Sequence, residues 1–465
     1  TGGELCDDGN MVDTDACTTG CVFSAASAYC GDGTRNGTEA CDDGNLGSGD
    51  GCEIDCTVTV ASTPANVCGD GVRRGSELCD DGNVMPADGC EADCTPTQVL
   101  TVTCPAASLP APTSSCDVAP GSTTKLIVGT VLQPGRVLRG GQVVVDPMGM
   151  ITCVGCNCLA AAGANPTGIL CGDNLVSPGL INSHDHLTFP AAPYVAPGVG
   201  ANGLLADGGV PERYEHRSDW RGGVDGHSAV SNGGGGNSNQ TRWNELRQLL
   251  AGTTSISGSG GALGLLRNLD APDTSATSDS QLGLGANTSG GNYDTFPLGS
   301  STSEQLVGSC AYSSKPNPMT DIPANAVYLP HISEGIELAA RNEFLCLSGL
   351  ASGSVDVLSP RTAIIHGIGV RPAEVRATAI KGSSLVWSPR SNVVLYGETA
   401  QTPVYHRMGV NVALGTDWVR SGSMTLLREL SCANYLSQSF YGQYFSPLSL
   451  WRMVTVNAAQ AQVVS

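Results

Sequence analysis

Two histidines separated by one residue, His184 and His186, lie in the stretch Val176 to Phe189 (VSPGLINSHDHLTF), just after an apolar run ending at Leu180 and Ile181. Residues two apart in a strand point to the same face, so both imidazoles are expected to leave the end of one strand together, placed to ligate one metal ion. Other polar residues with the same setting lie downstream. His331 ends AVYLPH with Glu334 three residues on, His366 ends AIIH, and Asp417 follows VNVALGT. Each stands at the C-terminal end of an apolar run. A lone histidine there is more often a structural hydrogen-bonder than a ligand, so metal chemistry requires that all of them meet at one place.

The elements that would bring them together begin at His184. WNELRQLLAGTTSISGSG reads as a helix with leucines on one face, a stop at Gly252 and then a strand; GLLRNLD and LVGSCAYS read as the next strands, and AVYLPHI as the fifth. AIIHGIG, SLVWSP and VNVALGT complete a count of eight. Eight strand-helix units in about 280 residues predict an α/β fold of the (β/α)8 TIM-barrel type over 179–465, where side chains at the C-terminal strand ends share one mouth. His184, His186, His331, His366 and Asp417 are predicted around that mouth, with Glu334 one turn beyond His331. Candidates for substrate contact are Trp387, Arg390 and Asn392 after strand seven, and Tyr214, His216, Arg217, Trp220, Arg221 and His227 after strand one. That second group concentrates donors and aromatics suited to a polar or anionic planar ligand, and suits a loop held by ordinary salt bridges equally well. His406, in the helix after strand seven, is expected to be structural. Asp270 to Glu304 is rich in Ser, Thr and Gly and reads as a lid or an exposed insertion.

Composition narrows the partners. The 465 residues carry a formal charge of -20 and only three lysines, Lys125, Lys315 and Lys381. Such a surface repels a phosphate backbone, which excludes nucleic acid as the partner class, and no apolar run reaches the ~18 residues of a membrane span. Twenty cysteines, dense near the N-terminus, predict disulfides and an oxidising compartment, hence an extracellular or cell-surface protein. The chain starts inside a repeat and without a leader, so earlier residues are expected to be missing.

Cys30, Cys41, Cys52 and Cys56 recur 38 residues later as Cys68, Cys79, Cys90 and Cys94, and Cys6, Cys17 and Cys21 repeat the last three. Between the cysteines the repeat is Gly, Asn and Asp, so each unit has almost no apolar core and must be held by disulfides and a cation. Asp32, Asp42, Asp43, Asn45 and Asp50, with Asp70, Asp80, Asp81, Asn83 and Asp88 in the next copy, are oxygen ligands of the kind calcium takes; as turn formers they need no ion at all. The pattern CGDG...CDDGN...DGC...C over residues 1–94 resembles the cysteine-rich repeat of myxobacterial surface proteins and is similar to the Notch/Lin-12-type repeats of pappalysins. That resemblance implies an extracellular, disulfide-linked, calcium-binding module without catalysis.

Residues 95–122, rich in Pro, Ser and Thr, read as a tether in which Cys104 and Cys116 close a loop. Residues 123–178 read as a small β subdomain, a β-sandwich, from the β-branched runs KLIVGTVL, RVLRGGQVVVD and MITCVGC and the turns between them. Cys153, Cys156, Cys158 and Cys171 are expected in two local disulfides rather than on zinc. Cys310 and Cys346 are placed to cross-link two barrel elements, leaving Cys432 odd.

From Thr123 onward the motifs SPGLINSHDHL, LLAGTTS, HISEG, IIHGIG, WSPRSN and GTDWVRSGSMTLLREL resemble the metal-dependent amidohydrolase superfamily, in its deaminase and triazine hydrolase branch. The resemblance implies that His184, His186, His331 and Asp417 hold one divalent metal, zinc or iron, and that Glu334 and His366 are the acid/base pair beside it. Such an ion lowers the pKa of its water from ~15.7 toward ~7. Asp417 would take the water's proton, Glu334 would protonate a ring nitrogen, and His366 would orient hydroxide or stabilise the oxyanion. Lys315 lies outside the fourth strand, which speaks against a bridging carboxylated lysine and a second metal. The implied activity is hydrolysis of a C–N bond, by deamination or by opening of a cyclic amide or amidine. The family normally continues beyond TVNAAQAQVVS into strands that complete the small sheet, so its edge is expected to be open to another chain. The competing reading is a structural or adhesive surface protein, assembling head to tail through its repeats or that edge, with the barrel as scaffold.

Overall fold

The computed structural model describes residues 40–42, 57, 58, 68, 90–95, 99–105, 112–189, 212–230, 235–261, 265–270, 291–299, 304–318, 322 and 327–462. The chain divides into two compact units, residues 1–67 and 68–465. Of the repeats, Cys68 is bonded to Cys94, and Cys41 and Cys90 are also in disulfides. Asp42 is described and half-buried; the other calcium candidates, Asp32, Asp43, Asn45, Asp50, Asp70, Asp80, Asp81, Asn83 and Asp88, lie outside the described residues, as do Cys30, Cys52, Cys56 and Cys79.

The first six strands, β1 (Leu100–Thr103), β2 (Asp117–Ala119), β3 (Ser122–Gln133), β4 (Arg136–Val145), β5 (Ile151–Gly155) and β6 (Pro166–Val176), form one mixed sheet in the order β1-β4-β3-β6-β2, with β5 on β4. The second layer of the expected sandwich is not seen among the described residues. Two of these strands come from the stretch read as a tether. β1 pairs with the first half of β4 and β5 with its second half along the same edge, so their ends meet and Cys104 bonds Cys156. β2 lies antiparallel to β6, which sets Cys116 against Cys171. The expected Cys104–Cys116 loop is therefore wrong, and only Cys153–Cys158 is local. Sheet neighbours, not sequence neighbours, chose the partners. Cys310–Cys346 forms, and Cys432 is free.

Eight short parallel strands follow: β7 (Leu180–Asn182), β8 (Thr253–Ile256), β9 (Arg267–Asn268), β10 (Asn292–Asp294), β11 (Tyr328–Ile332), β12 (Ala363–His366), β13 (Ser384–Trp387) and β14 (Val412–Leu414). They alternate with α1 (Arg217–Gly222), α2 (Ser238–Leu250), α3 (Leu338–Leu347), α4 (Pro372–Ile380), α5 (Pro389–Tyr396) and α6 (Thr402–Arg407), and end in α7 (Leu426–Ser439), α8 (Pro447–Arg452) and α9 (Val456–Ala461). The fourth strand is β10, in NYD, and not the expected LVGSCAYS. Thus the end of the stretch read as a lid or insertion is part of the sheet.

The ladder is not continuous, in contrast to the closed barrel expected. β7-β8-β9 form one sheet and β10 to β14 another. Few backbone contacts link them: Gly291 N–H to the Leu269 carbonyl (2.8 Å) at one seam, and at the other Ser183 N–H to that of Leu414 (3.1 Å), Asp417 N–H to that of His184 (2.9 Å) and an isolated parallel bridge between Asp185 and Asp417. Alternation sorts the side chains. Val327, Leu329, Ala363, Ile365, Val386 and Ala413 pack inward with Ala458 and Ala461 of α9, while Leu385, Trp387, Val412 and Leu414 face the outer helices.

Candidate metal centre

β7 stops at Asn182, so His184 and His186 stand on the turn beyond it and strand alternation does not orient them. Packing does. Asp185 between them is buried, its N–H donating to the Ser257 carbonyl (2.8 Å) and its Oδ2 accepting from Thr416 Oγ1 (2.6 Å) and Gln248 Nε2 (2.9 Å). With the turn pinned, both imidazoles reach one carboxylate oxygen: Asp417 Oδ1 lies 3.0 Å from His184 Nε2 and 3.4 Å from His186 Nε2. Gly415 makes this approach possible, since a Cβ there would fall 2.6 Å from that of His184. Asp417 itself sits at φ 56°, a left-handed conformation uncommon for a side-chain-bearing residue and typical of functional turns.

His331 ends the inward row of β11. Its Nδ1 lies 3.2 Å from the Asp294 carbonyl, which can only accept, so Nδ1 carries the proton. Nε2 is then a lone-pair nitrogen, buried, with no hydrogen-bond partner. The coordinating atoms of His184, His186 and His331 lie within 4.8 Å of one another, as do those of His184, His366 and Asp417. Burial, reinforced by the neighbouring rings, pushes His186 down to about 3 and His331 well below the ordinary range; burial likewise lowers His366. Burial, the largest single influence, would raise Asp417, but the charge and hydrogen bond of His184 together with the charges of His366 and His186 outweigh it and hold the carboxyl well below its usual value. Imidazoles held neutral at His186 and His331 beside an ionised Asp417 are protonation states a divalent metal demands, and the orphaned Nε2 of His331 lacks only such a partner. The residues fit a zinc-type ion.

Tyr293 on β10 completes the wall, and the sequence reading missed it. Its hydroxyl is 2.9 Å from His184 Nδ1 and 3.2 Å from the Asp185 carbonyl. It can therefore accept from Nδ1–H while donating to the carbonyl, which frees His184 Nε2 for a metal. The available signal was an aromatic pair, Tyr293 and Phe296, in a Gly/Ser-rich stretch.

Glu334 follows β11, and its Oε2 is 3.6 Å from His366 Nε2. Strand parity would put His366 outside with Ile364; φ 76° at His366 breaks the alternation and turns the ring inward, 5.6 Å from that of His184. The centre opens into a cavity of about 280 Å³ lined by His186, His331, Glu334, His366 and Asp417 at its base, with Phe189, Trp220, Phe296 and Trp418 as aromatic walls. Trp220 and Trp418 stack at 5.6 Å, and the Arg221 guanidinium lies 3.9 Å over the Phe296 ring. Arg221 makes no hydrogen bond or ion pair among the described residues.

Other substrate candidates do not reach the cavity. Trp387 is buried among the outer-helix core, and Asn392 lies beneath His366, its Nδ2 3.2 Å from Nδ1. Arg390 is not among the lining residues; its N–H donates to Glu429. His216 and Arg217 converge on buried Glu343 at 3.2 and 2.9 Å, and Arg217 also donates to the carbonyls of His331 and Thr295. They brace β10 and β11. His227 bridges Glu212 and Glu215, and His406 packs on Tyr444.

Glu429 on α7 is fully buried, and burial pushes its carboxyl up to about 8. The folded state thus binds a proton that the unfolded chain, near 4.5, releases, so this group's stabilisation is complete below pH 4.5 and is lost as pH rises through 8. Glu429→Gln is expected to abolish up to about 5 kcal/mol of that pH dependence, with the variant gaining on the parent in melting temperature between pH 5 and 9. Parallel melting curves would sink the assignment.

Residues 65–95 match a family described as a domain of unknown function, DUF4215. The chain is 40% identical over 73 residues to aminodeoxyfutalosine deaminase of Deinococcus radiodurans, covering 16% of this chain and 18% of that protein. It is 29% identical over 108 residues to 5-methylthioadenosine/S-adenosylhomocysteine deaminase 2 of Archaeoglobus fulgidus, covering 23% and 26%. The chain thus matches only about a fifth to a quarter of these relatives' length. Among solved structures, it is similar to the zinc complex of atrazine chlorohydrolase from Arthrobacter aurescens TC1, at 17% identity and a TM-score of 0.49 over 73% of this chain and 83% of that one.

Proposed function

We propose that this chain is a metal-dependent hydrolase of the amidohydrolase type, built on a (β/α)8-like arrangement and acting on a C–N bond of a planar amino-substituted heterocycle. The observation that carries the reading is the buried, partnerless Nε2 of His331, facing a cluster whose other members are two imidazoles and an ionised carboxylate. His184, His186, His331 and Asp417 would hold one divalent ion, zinc or iron, which supplies a water acidic enough to ionise near neutral pH. Asp417 would accept one proton of that water and pass it to the departing amine. Glu334 would protonate the ring nitrogen next to the reacting carbon and recover a proton from the added hydroxyl as the carbonyl forms, and His366 would orient the attacking oxygen. Phe189, Trp220, Phe296 and Trp418 sandwich the ring and exclude water. Two short deaminase alignments favour the same chemistry.

Arg221 supplies the specificity. An unpaired guanidinium on an aromatic wall favours a substrate with a carboxylate or strong acceptor on the edge away from the metal. Arg221→Met should raise KM about 10–100-fold for such substrates while leaving kcat and metal content near parent values, the size of one charged hydrogen bond. An equal loss for substrates lacking that acceptor would remove this role.

The disulfides and cysteine repeats support an oxidising, extracytoplasmic setting, and no helix among the described residues is long and apolar enough to cross a membrane. The deciding experiment is elemental analysis by plasma mass spectrometry followed by an ammonia-release screen of aminopyrimidines, aminopurines and aminotriazines. About one zinc or iron per chain with turnover supports the reading. Failure to bind any transition metal on reconstitution overturns it.

A further inference from the structure

Two hydrogen-bond chains end on the acid/base pair, and each begins at an indole. Trp387 Nε1 donates to Thr399 Oγ1 (2.7 Å), Thr399 Oγ1 donates to Asn392 Oδ1 (3.1 Å), and Asn392 Nδ2 faces His366 Nδ1 (3.2 Å). Trp220 Nε1 donates to Tyr396 Oη (2.8 Å), and Tyr396 Oη donates to Glu334 Oε1 (2.7 Å). An indole N–H donates and never accepts, so both chains have a direction. Thr399 already accepts from Trp387, and its own proton goes to Asn392 Oδ1. The reversed amide would leave that buried hydroxyl proton without an acceptor. Asn392 must then present its NH2 to His366, whose Nδ1 is the acceptor and cannot bear a proton. The His366 proton therefore sits on Nε2, the nitrogen facing Glu334 Oε2. In the second chain Tyr396 has one proton, and it goes to Glu334 Oε1. Oε2 is left as the oxygen that loads and delivers a proton.

We propose that Trp387, Thr399 and Asn392, together with Trp220 and Tyr396, are positioning residues that lock the pair in one proton arrangement, with His366 as its Nε2–H tautomer and the exchangeable proton of Glu334 on Oε2. His366 is then a donor toward the reacting centre and not a base, which leaves proton abstraction to Asp417. The catalytic meaning rests on the hydrolase reading; the tautomer does not.

The test is long-range nitrogen–proton NMR on the full chain labelled with [15N]histidine, with His366 assigned by its loss in His366→Gln. A protonated Nε2 and bare Nδ1 are expected in the parent. Asn392→Asp replaces a donor by an acceptor and should move the proton to Nδ1, with unchanged metal content and a turnover loss of about 10²–10⁴-fold, the scale of a misplaced catalytic imidazole proton. Thr399→Val, which frees the amide to turn, should give a mixture of tautomers and serves if Asn392→Asp does not fold. An Nδ1-protonated parent ring, or folded variants with the parent tautomer, overturns the proposal. The expected tautomers without turnover of any substrate would instead uphold the lock and sink the hydrolase reading.

Discussion

His331→Ala is expected to empty the metal centre, from about one divalent ion per chain to less than about a tenth, and to lower kcat/KM at least about 10³-fold, or about 4 kcal/mol of transition-state stabilisation. The size follows from the site. Nε2 of His331 is the one imidazole nitrogen of the cluster that is buried with no partner, while its Nδ1 is held by a backbone carbonyl. Removing the ring breaks one hydrogen bond to that carbonyl, and the space it leaves joins the cavity that the ring lines. The metal-free variant should accordingly melt no lower than the metal-free parent by more than about 1–2 kcal/mol. Plasma mass spectrometry and thermal melts decide the matter: full metal occupancy in His331→Ala would show that the cluster is not the metal centre.

Glu334→Gln should separate chemistry from binding. The amide is isosteric, can still accept from Tyr396 through its oxygen, and touches none of the proposed ligands directly, so metal content should equal the parent's. Turnover should fall about 10²–10⁴-fold, because the group that carries a proton to the substrate is gone. The pair of variants forms a double dissociation: one loses metal and activity, the other activity alone. Glu334→Gln with parental turnover would move the acid role elsewhere, and loss of metal in that variant would place Glu334 among the ligands.

Much of this site was legible in the chain because its residues stand where short apolar runs end. His184, His186, His331, Glu334, His366 and Asp417 were marked by that position, and the structure brings them together, with five of them lining one cavity and His184 clustered with its ligating neighbours. The aromatic and basic segment around Trp220 and Arg221 was marked by composition. Other assignments failed for identifiable reasons. Trp387 and Asn392 are close in sequence to the mouth, but β13 and α5 turn them beneath His366, where their donors face inward rather than toward a ligand. His216 and Arg217 stood equally as substrate contacts and as members of a loop held by salt bridges, because donors concentrated in a loop suit either; burial against Glu343 makes them braces. The fourth strand was misplaced because three residues, NYD, offer no periodicity to detect.

What the chain determined by itself is local: residue types, the spacing of cysteines, the period of apolar runs and hence the order of strands and helices. Tertiary structure alone decided the disulfide partners, which follow from which strands share an edge of β4 or β6. It alone brought Tyr293 to His184 across 109 residues, and turned His366 inward through a left-handed backbone. Hydrogen-bond direction and buried protonation belong to the same class. They depend on which groups have lost water and which partners remain, and no window of sequence contains both sides of that contact.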